Sequence, residues 1–400
     1  MSVMNVGERI KSDFGRLVSI RHDLHAHPEL AFQEKRTSGV VMRELGSLGI
    51  EHVGGLAKGT GIVAWLPATE KPGIAPTVAL RADMDALPII EDSGAKHAST
   101  IEGVMHACGH DGHTTILLGV ARALSGMARP NNVMLIFQPA EEGGGGGDLL
   151  CREGALAGKV IGKKVDHIYG LHGWPSLELG TVMTKSGPFM AATDDFHVVV
   201  RGKGGHAAYP HLCVDPIVVG ARIVDGLQTI ASRRVSPTDN VVCTVAIFRG
   251  GDVATNVIPD EVKLSGTIRT LRETTRAYAE AEFRKIVSGI AAAHGATAEI
   301  RWEPGYPATV NDEAATERFL RVAGGVLPRE RIVVTHEPTM GGEDFSYYGA
   351  HAKASYFFLG LRPSGREKYP GLHTPGFDFN DEAMPLGVEL MVRLAVEGVD

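Results

Sequence analysis

Val133-Met134-Leu135-Ile136-Phe137-Gln138-Pro139-Ala140-Glu141-Glu142-Gly143 carries the first clue to the architecture. Five apolar residues in a row, without polar alternation, predict a strand buried on both faces. The run ends at Gln138-Pro139, and two acidic residues follow at once. Similar segments at 61–66, 77–82, 165–171, 331–335 and 355–359 predict further strands. Helices are predicted between them. Val6, Ile10, Phe14 and Leu17 recur at spacings of three and four over 5–20, and Ile116, Leu117, Val120, Ala121 and Leu124 do so over 113–127. Another helix is predicted near 312–323. Helices alternating with buried strands predict an α/β layered domain.

The middle of the chain has a different rhythm. A strand at 196–201 precedes Asp215-Pro216, an N-cap followed by proline at the first helical position. Ile217, Ala221, Val224, Leu227 and Ala231 continue that helix. A strand follows at 241–248. Val262, Leu264, Gly266 and Ile268 then alternate with Lys263, Ser265, Thr267 and Arg269, a half-buried strand. Tyr278, Phe283, Ile286 and Ile290 mark a second helix, and 296–302 a last strand. The order β-α-β-β-α-β is the split ferredoxin-like unit. The expectation is an α/β domain of 1–184 plus 304–400, interrupted by an inserted domain of 185–303.

Composition agrees with a globular protein of this size. At ~150 residues per domain, 400 residues make two or three domains. The 50 glycines exceed a usual ~7% and follow no Gly-X-Y period, so they imply many tight turns. A net charge of −7 argues against a general nucleic-acid binder. No run of 18 uncharged apolar residues predicts a membrane span. Glu8, Arg9, Lys11 and Asp13 leave no room for the apolar core of a signal peptide. Four cysteines do not make a disulfide framework, so a reduced, cytoplasmic protein is expected.

The chemistry gathers in short motifs. Cys108-Gly109-His110-Asp111-Gly112-His113 offers thiolate and imidazole, both good zinc ligands, or a capping turn with a buried cysteine. In an extended loop Cys108 and His110 would reach one cluster, and the following helix N-terminus would favour a thiolate. Glu141-Glu142 lies where α/β sheets bind ligands. In extended chain its two carboxylates would point opposite ways, one suited to a metal and one to a proton. His172 also falls at a strand end. Asp83 and Asp85 could ligate, orient a ligand histidine, or simply build a turn. His373 opens a remote motif, His373-Thr374-Pro375-Gly376-Phe377-Asp378. Glu343-Asp344 is read as structural or helix-capping. The loop Gly202-Lys203-Gly204-Gly205-His206 lacks the ending of a phosphate loop. His206, Asn256 and Arg269 could each stabilise negative charge or simply lie on surface loops.

Taken together and in order, these segments resemble the aminoacylase–carboxypeptidase superfamily of metal-dependent amidohydrolases. The similarity is greatest to its hippurate hydrolase and indole-acetyl-amino-acid hydrolase branch. It runs from Arg21-His22-Asp23-Leu24-His25-Ala26-His27-Pro28-Glu29-Leu30 to the His373–Glu382 stretch, nearly the whole chain. The resemblance implies an exopeptidase-like catalytic domain with a ferredoxin-like lid. It implies two divalent metal ions, zinc first and manganese, cobalt or nickel as alternatives. The implied ligands are Cys108, His110, Glu142, His172 and His373, with Glu141 as catalytic base. His206 matches a residue that reaches the partner's site in dimeric relatives. Asn256 and Arg269 match substrate-binding positions.

The implied reaction is hydrolysis of an N-acyl amino acid by a metal-bridged hydroxide, Glu141 handling the proton. The implied partners are that small substrate and a second or further copy of the chain, with no nucleic acid and no membrane. Two other readings remain. Cys108 could be a nucleophile paired with His110 or His113, or the protein could bind metal and ligand without catalysis.

Overall fold

The computed structural model describes residues 6–70, 73–251 and 254–399. The chain divides into two compact units. The larger comprises Met1–Phe189, Val310–Glu337 and Asp344–Asp400, and the smaller Met190–Thr309 with Pro338–Glu343. The last segment joins the smaller unit through the Ala191 N–H, which donates to the Gly341 carbonyl at 2.9 Å.

The larger unit is built on an eight-stranded sheet. Its strands run, edge to edge, Glu51–Leu56, Gly61–Leu66, Asn132–Gln138, Thr77–Asp83, His167–Glu178, Lys353–Arg362, Val182–Thr184 and Ile332–Val334. The Asn132–Gln138, Thr77–Asp83, His167–Glu178 and Lys353–Arg362 strands are mutually parallel. The apolar runs seen in the sequence are these strands, buried because helices cover them. Helices Val6–Ala26, His110–Leu124 and Met384–Val396 meet closely: a Cβ on Gly119 would stand 2.7 Å from Val388 Cγ2 and 3.0 Å from Leu17 Cδ1. Helix Glu313–Gly324 packs through Phe319, whose ring stacks on Phe357 at 4.3 Å.

Several elements depart from the sequence reading. The helix expected at 113–127 starts at His110 and ends at Leu124. The strand expected at 165–171 runs on to Glu178. Helix Lys35–Ser47 was not anticipated: Val40, Val41 and Leu45 give it an inward stripe, but its cap comes from elsewhere. Glu29 accepts from the N–H groups of Arg36 (3.0 Å) and Thr37 (2.9 Å). Helix Met384–Val396 is buried over most of its surface, so it lacks a clear amphipathic stripe.

The smaller unit has the expected β-α-β-β-α-β order. Its sheet runs Val241–Arg249, Glu261–Thr270, Ala192–Arg201, Thr297–Pro304, every neighbour antiparallel. Asp215 caps helix Pro216–Thr229 by accepting from the Ile217 N–H at 2.9 Å. Alternate residues Phe196, Val198 and Val200 turn inward beneath the two helices. Phe283 of helix Glu273–Ala293 is wholly buried, 4.5 Å from Phe196 and 5.3 Å from Trp302 between ring centroids. Phe283→Ala is expected to cost about 3–5 kcal/mol. Urea unfolding followed by circular dichroism measures it, and a loss below about 1 kcal/mol would remove the ring from its anchoring role.

Candidate metal centre

The parallel strands bring the chemistry to one edge. Asp83 pairs with Gln138, and Arg81 with Gly170, so His172, two residues beyond Gly170, is level with Asp83. Asp83, Asp85, Glu141 and Glu142 therefore gather at the C-terminal ends of their strands, where open α/β sheets bind ligands, level with His172 midway along its longer strand. Thr114 Oγ1 donates to the Asp83 carbonyl at 2.7 Å and fastens the helix carrying His110 to the same edge.

Cys108 Sγ lies 3.3 Å from His172 Nε2 and 3.3 Å from His373 Nε2. His373 Nε2 is 3.1 Å from Glu142 Oε1. Two overlapping groups of donor atoms result, Cys108 with His110 and His172, and Cys108 with Glu142 and His373. Each stays within 4.8 Å across, as does a third group of His110, Glu141 and Glu142. Two ligands of one tetrahedral zinc stand about 3.5 Å apart, given its Zn–S and Zn–N bond lengths. His373 is held in reach by its own backbone: it has φ 59, and its N–H donates to the Ala107 carbonyl at 2.9 Å.

The donor set fits divalent ions. His172 Nδ1 lies 2.8 Å from the Gly173 carbonyl, which fixes the proton there and turns the Nε2 lone pair toward Cys108. His110 Nδ1 is 3.3 Å from Asp85 Oδ1. His110 Nε2 is buried without a hydrogen-bond partner among the described residues. Such groups are costly to bury unless something else satisfies them.

Two details differ from the sequence reading. Cys108 and His110 are not in an extended loop. Gly109 is left-handed at φ 87, and His110 opens the helix. Glu141 and Glu142 do not diverge along extended chain either. They lie in a turn, and both bring a carboxylate oxygen near His110. The glycines after them are a steric requirement. A Cβ on Gly146 would stand 1.7 Å from the Pro139 carbonyl oxygen.

Neighbouring carboxylates dominate the local charge. Burial alone would lower the His110 pKa, but Asp83, Asp85 and Glu142 outweigh it and carry it to about 10. Burial, with His113 and His110 nearby, pushes His172 well below its usual value. The Cys108 thiol is pushed well up by burial and by Glu142, Glu141 and Asp83. The expected help from the helix N-terminus is thus outweighed, and these surroundings favour the thiol over a free thiolate nucleophile. His113 is fully engaged, with Nδ1 2.7 Å from Asp83 Oδ1 and Nε2 accepting from the Gly173 N–H at 2.8 Å.

Both aspartates build the frame of the site, and Asp83 also forms, with His110 and His113, a group of donor atoms within 4.8 Å of one another. Asp85 accepts from the N–H groups of Glu141 (3.0 Å) and Glu142 (2.9 Å). Asp83 is bridged by Arg81 at 2.6 Å. Arg81 also reaches Asp344 at 2.9 Å, and Asp344 accepts from the Gly147 N–H at 2.9 Å. That matches the structural role expected of Asp344. Sequence reasoning missed a network behind the site. Asp111 Oδ2 receives Arg21 at 3.0 Å and His25 Nδ1 at 2.9 Å, and His25 has a pKa of about 10 because the carboxylates of Asp111 and Glu91 outweigh its burial. The i,i+4 spacing of Arg21 and His25 was the signal available.

The remaining expected residues belong to the smaller unit. The Gly205–His206 strand pairs with Val257–Ile258, and the Ala207 N–H donates to the Asn256 carbonyl at 2.9 Å. His206 and Asn256 are thereby neighbours, both exposed. Arg269 stands apart from that ribbon, on the main sheet opposite Thr193 and Val242.

Residues 79–397 match the model of Peptidase family M20/M25/M40. The chain belongs to that family. It is 38% identical to the N-acetylcysteine deacetylase of Bacillus subtilis, covering 95% of this chain and 96% of the relative. It is 38% identical to the IAA-amino acid hydrolase ILR1-like 4 of Arabidopsis thaliana, covering 96% and 85%. Among solved structures, a dinuclear metal-binding M20 peptidase of Bacillus subtilis superposes with a TM-score of 0.81. It is 34% identical, over 96% of this chain and 98% of that one. This M20 chain is therefore an amidohydrolase on the aminoacylase and hippurate-hydrolase-like branch. Among the described residues no helix is long and apolar enough to cross a membrane.

Asp85→Ala would strip two buried N–H acceptors and the partner of His110. Its affinity for added Zn²⁺ is expected to fall about 10–100-fold in titration against a chromogenic chelator. Unchanged affinity would show that Asp85 does not shape the centre.

Proposed function

We propose that this M20 protein hydrolyses the amide bond of N-acyl amino acids, releasing a carboxylic acid and a free amino acid. The observation that carries the proposal is the approach of His172 and His373 to one cysteine sulfur, each at 3.3 Å. Cys108, His110, Glu142, His172 and His373 would hold two divalent ions, zinc first and manganese, cobalt or nickel as alternatives. The solved M20 neighbour is itself described as dinuclear. When bound, such ions supply Lewis acidity toward water and toward the amide carbonyl.

The protein's own groups do the rest. Glu141 Oε1 lies 3.4 Å from the Asp344 N–H, which steadies the carboxylate. In this reading Glu141 takes a proton from the attacking water as its oxygen bonds to the acyl carbon. It returns that proton to the nitrogen as the C–N bond breaks. His206 and Asn256 would face the charge that develops on the carbonyl oxygen, and Arg269 would meet a substrate carboxylate. The relatives support the substrate class, being named for N-acetylcysteine and for IAA-amino acids.

The smaller unit would serve as lid and as the contact of a homodimer, His206 crossing to the partner. Its edge strand Val241–Arg249 leaves Ile247 and Phe248 exposed, a surface suited to such a contact. A cytoplasmic location accords with the unpaired cysteines.

Glu141→Gln is expected to keep its metal and to lose about 10²–10⁴ in turnover. The assay offers acetyl-, benzoyl- and indole-acetyl-amino acids to metal-loaded protein. A chelator should abolish activity, and Zn²⁺, Mn²⁺, Co²⁺ or Ni²⁺ should restore it. Near-normal turnover by Glu141→Gln, or indifference to the chelator together with inactivation by thiol alkylation, would overturn the proposal.

A further inference from the structure

Three successive backbone N–H groups, those of Ala140, Glu141 and Glu142, end on two buried carboxylates. Asp85 takes the second and third, and Glu34 takes the first at 2.9 Å. Glu34 is wholly buried and more than a hundred residues away along the chain. The same Oε1 also accepts from the Phe32 N–H at 3.0 Å, while Oε2 accepts from the Thr60 hydroxyl at 2.8 Å.

The two residues whose N–H groups share Oε1 have something else in common. Phe32 (φ 61) and Ala140 (φ 54) are both non-glycine residues in the left-handed region. That conformation is unfavourable for a residue with a side chain and persists only where the surroundings impose it. They also crowd one spot: a Cβ on Gly144 would stand 2.5 Å from Ala140 Cβ and 2.9 Å from Phe32 Cε2. One buried carboxylate therefore holds two strained turns together, and one of those turns leads directly into Glu141 and Glu142. Burial is expensive for this carboxylate, whose pKa is raised to about 7 in spite of its three donors. Nothing about capping helix Lys35–Ser47 explains that cost, since the Glu34 side chain makes no cap there.

We propose that Glu34 is a positioning residue for the metal centre, an acceptor that locks Ala140 left-handed so that Glu141 and Glu142 both face His110. The proposal rests on the reading of Glu142 as a ligand and Glu141 as the base. Glu34 itself touches neither metal nor substrate. It acts through the Ala140 peptide.

The test compares Glu34→Ala and Glu34→Gln in the full chain, first without metal and then titrated with Zn²⁺. Hydrogen–deuterium exchange of peptides over 30–34 and 138–144 is expected to quicken at least tenfold in Glu34→Ala, with the 77–83 strand unchanged. Affinity for the weaker of two Zn²⁺ ions should fall at least tenfold, and kcat should fall by more than KM changes. Glu34→Gln keeps an oxygen that can accept both N–H groups, so it should restore exchange and affinity to within threefold of wild type. Should Glu34→Ala not fold, Glu34→Asp, whose carboxylate stops one methylene short, is expected to show the same losses to a smaller degree.

Unchanged exchange and Zn²⁺ affinity in Glu34→Ala or Glu34→Asp would overturn the proposal. So would a uniform rise in exchange over the whole sheet, which marks a merely structural residue, or a Glu34→Gln as defective as Glu34→Ala. Failure of the functional reading looks different. A wild-type protein that cleaves no acyl amino acid, or binds no Zn²⁺, removes that reading, while the exchange comparison still decides the role of Glu34.

Discussion

Burying Asp83, Asp85, Glu141 and Cys108 at one end of a sheet, with Glu142 half-buried beside them, is the constraint to which the rest of the larger unit answers. Buried charge is tolerated only when it is paired or hydrogen-bonded. Asp83 has Arg81 and His113. Asp85 has two backbone N–H groups and His110. Asp344 has Arg81, Gln138 and Gly147. What these partners leave uncovered is telling. The unpartnered His110 Nε2 and the Glu142 carboxylate beside His373 lie near the Cys108 sulfur, and a divalent cation is the group that would satisfy them together.

That division of labour also explains which residues must be anionic and which must be neutral. His172 has its proton fixed at Nδ1 by a backbone carbonyl, so its other nitrogen stays an acceptor. The high pKa of His110 and the raised pKa of the Cys108 thiol share a cause in the neighbouring carboxylates. Both record a negative local potential that a cation would relieve.

Much of this was legible in the sequence, for definite reasons. The central strands announced themselves because burial on both faces demands uninterrupted apolar residues, as at Val133–Phe137. Glu141 and Glu142 stood out because they closely follow such a strand, and His172 because its strand was expected to end there, whereas that strand runs on to Glu178. The ferredoxin-like unit was readable from the alternation along Val262–Arg269 and from the Asp215-Pro216 cap. Acceptors that act across the chain were not. Glu29 caps a helix seven residues on, Glu34 serves a turn beyond residue 139, and Arg81 meets Asp344. Each is a long-range or nonlocal contact with no periodicity to betray it. The orientation of Glu141 and Glu142 was misread for the same reason. It depends on a left-handed alanine that local propensity argues against.

The claim that joins these findings is that Cys108 is shared between two cation positions. Anomalous-difference maps from crystals grown with zinc test it most directly. The account predicts two peaks beside the Cys108 sulfur, one also touching His110 and His172, the other Glu142 and His373. A map with no peak at Cys108, or with peaks bound by other side chains, would contradict it.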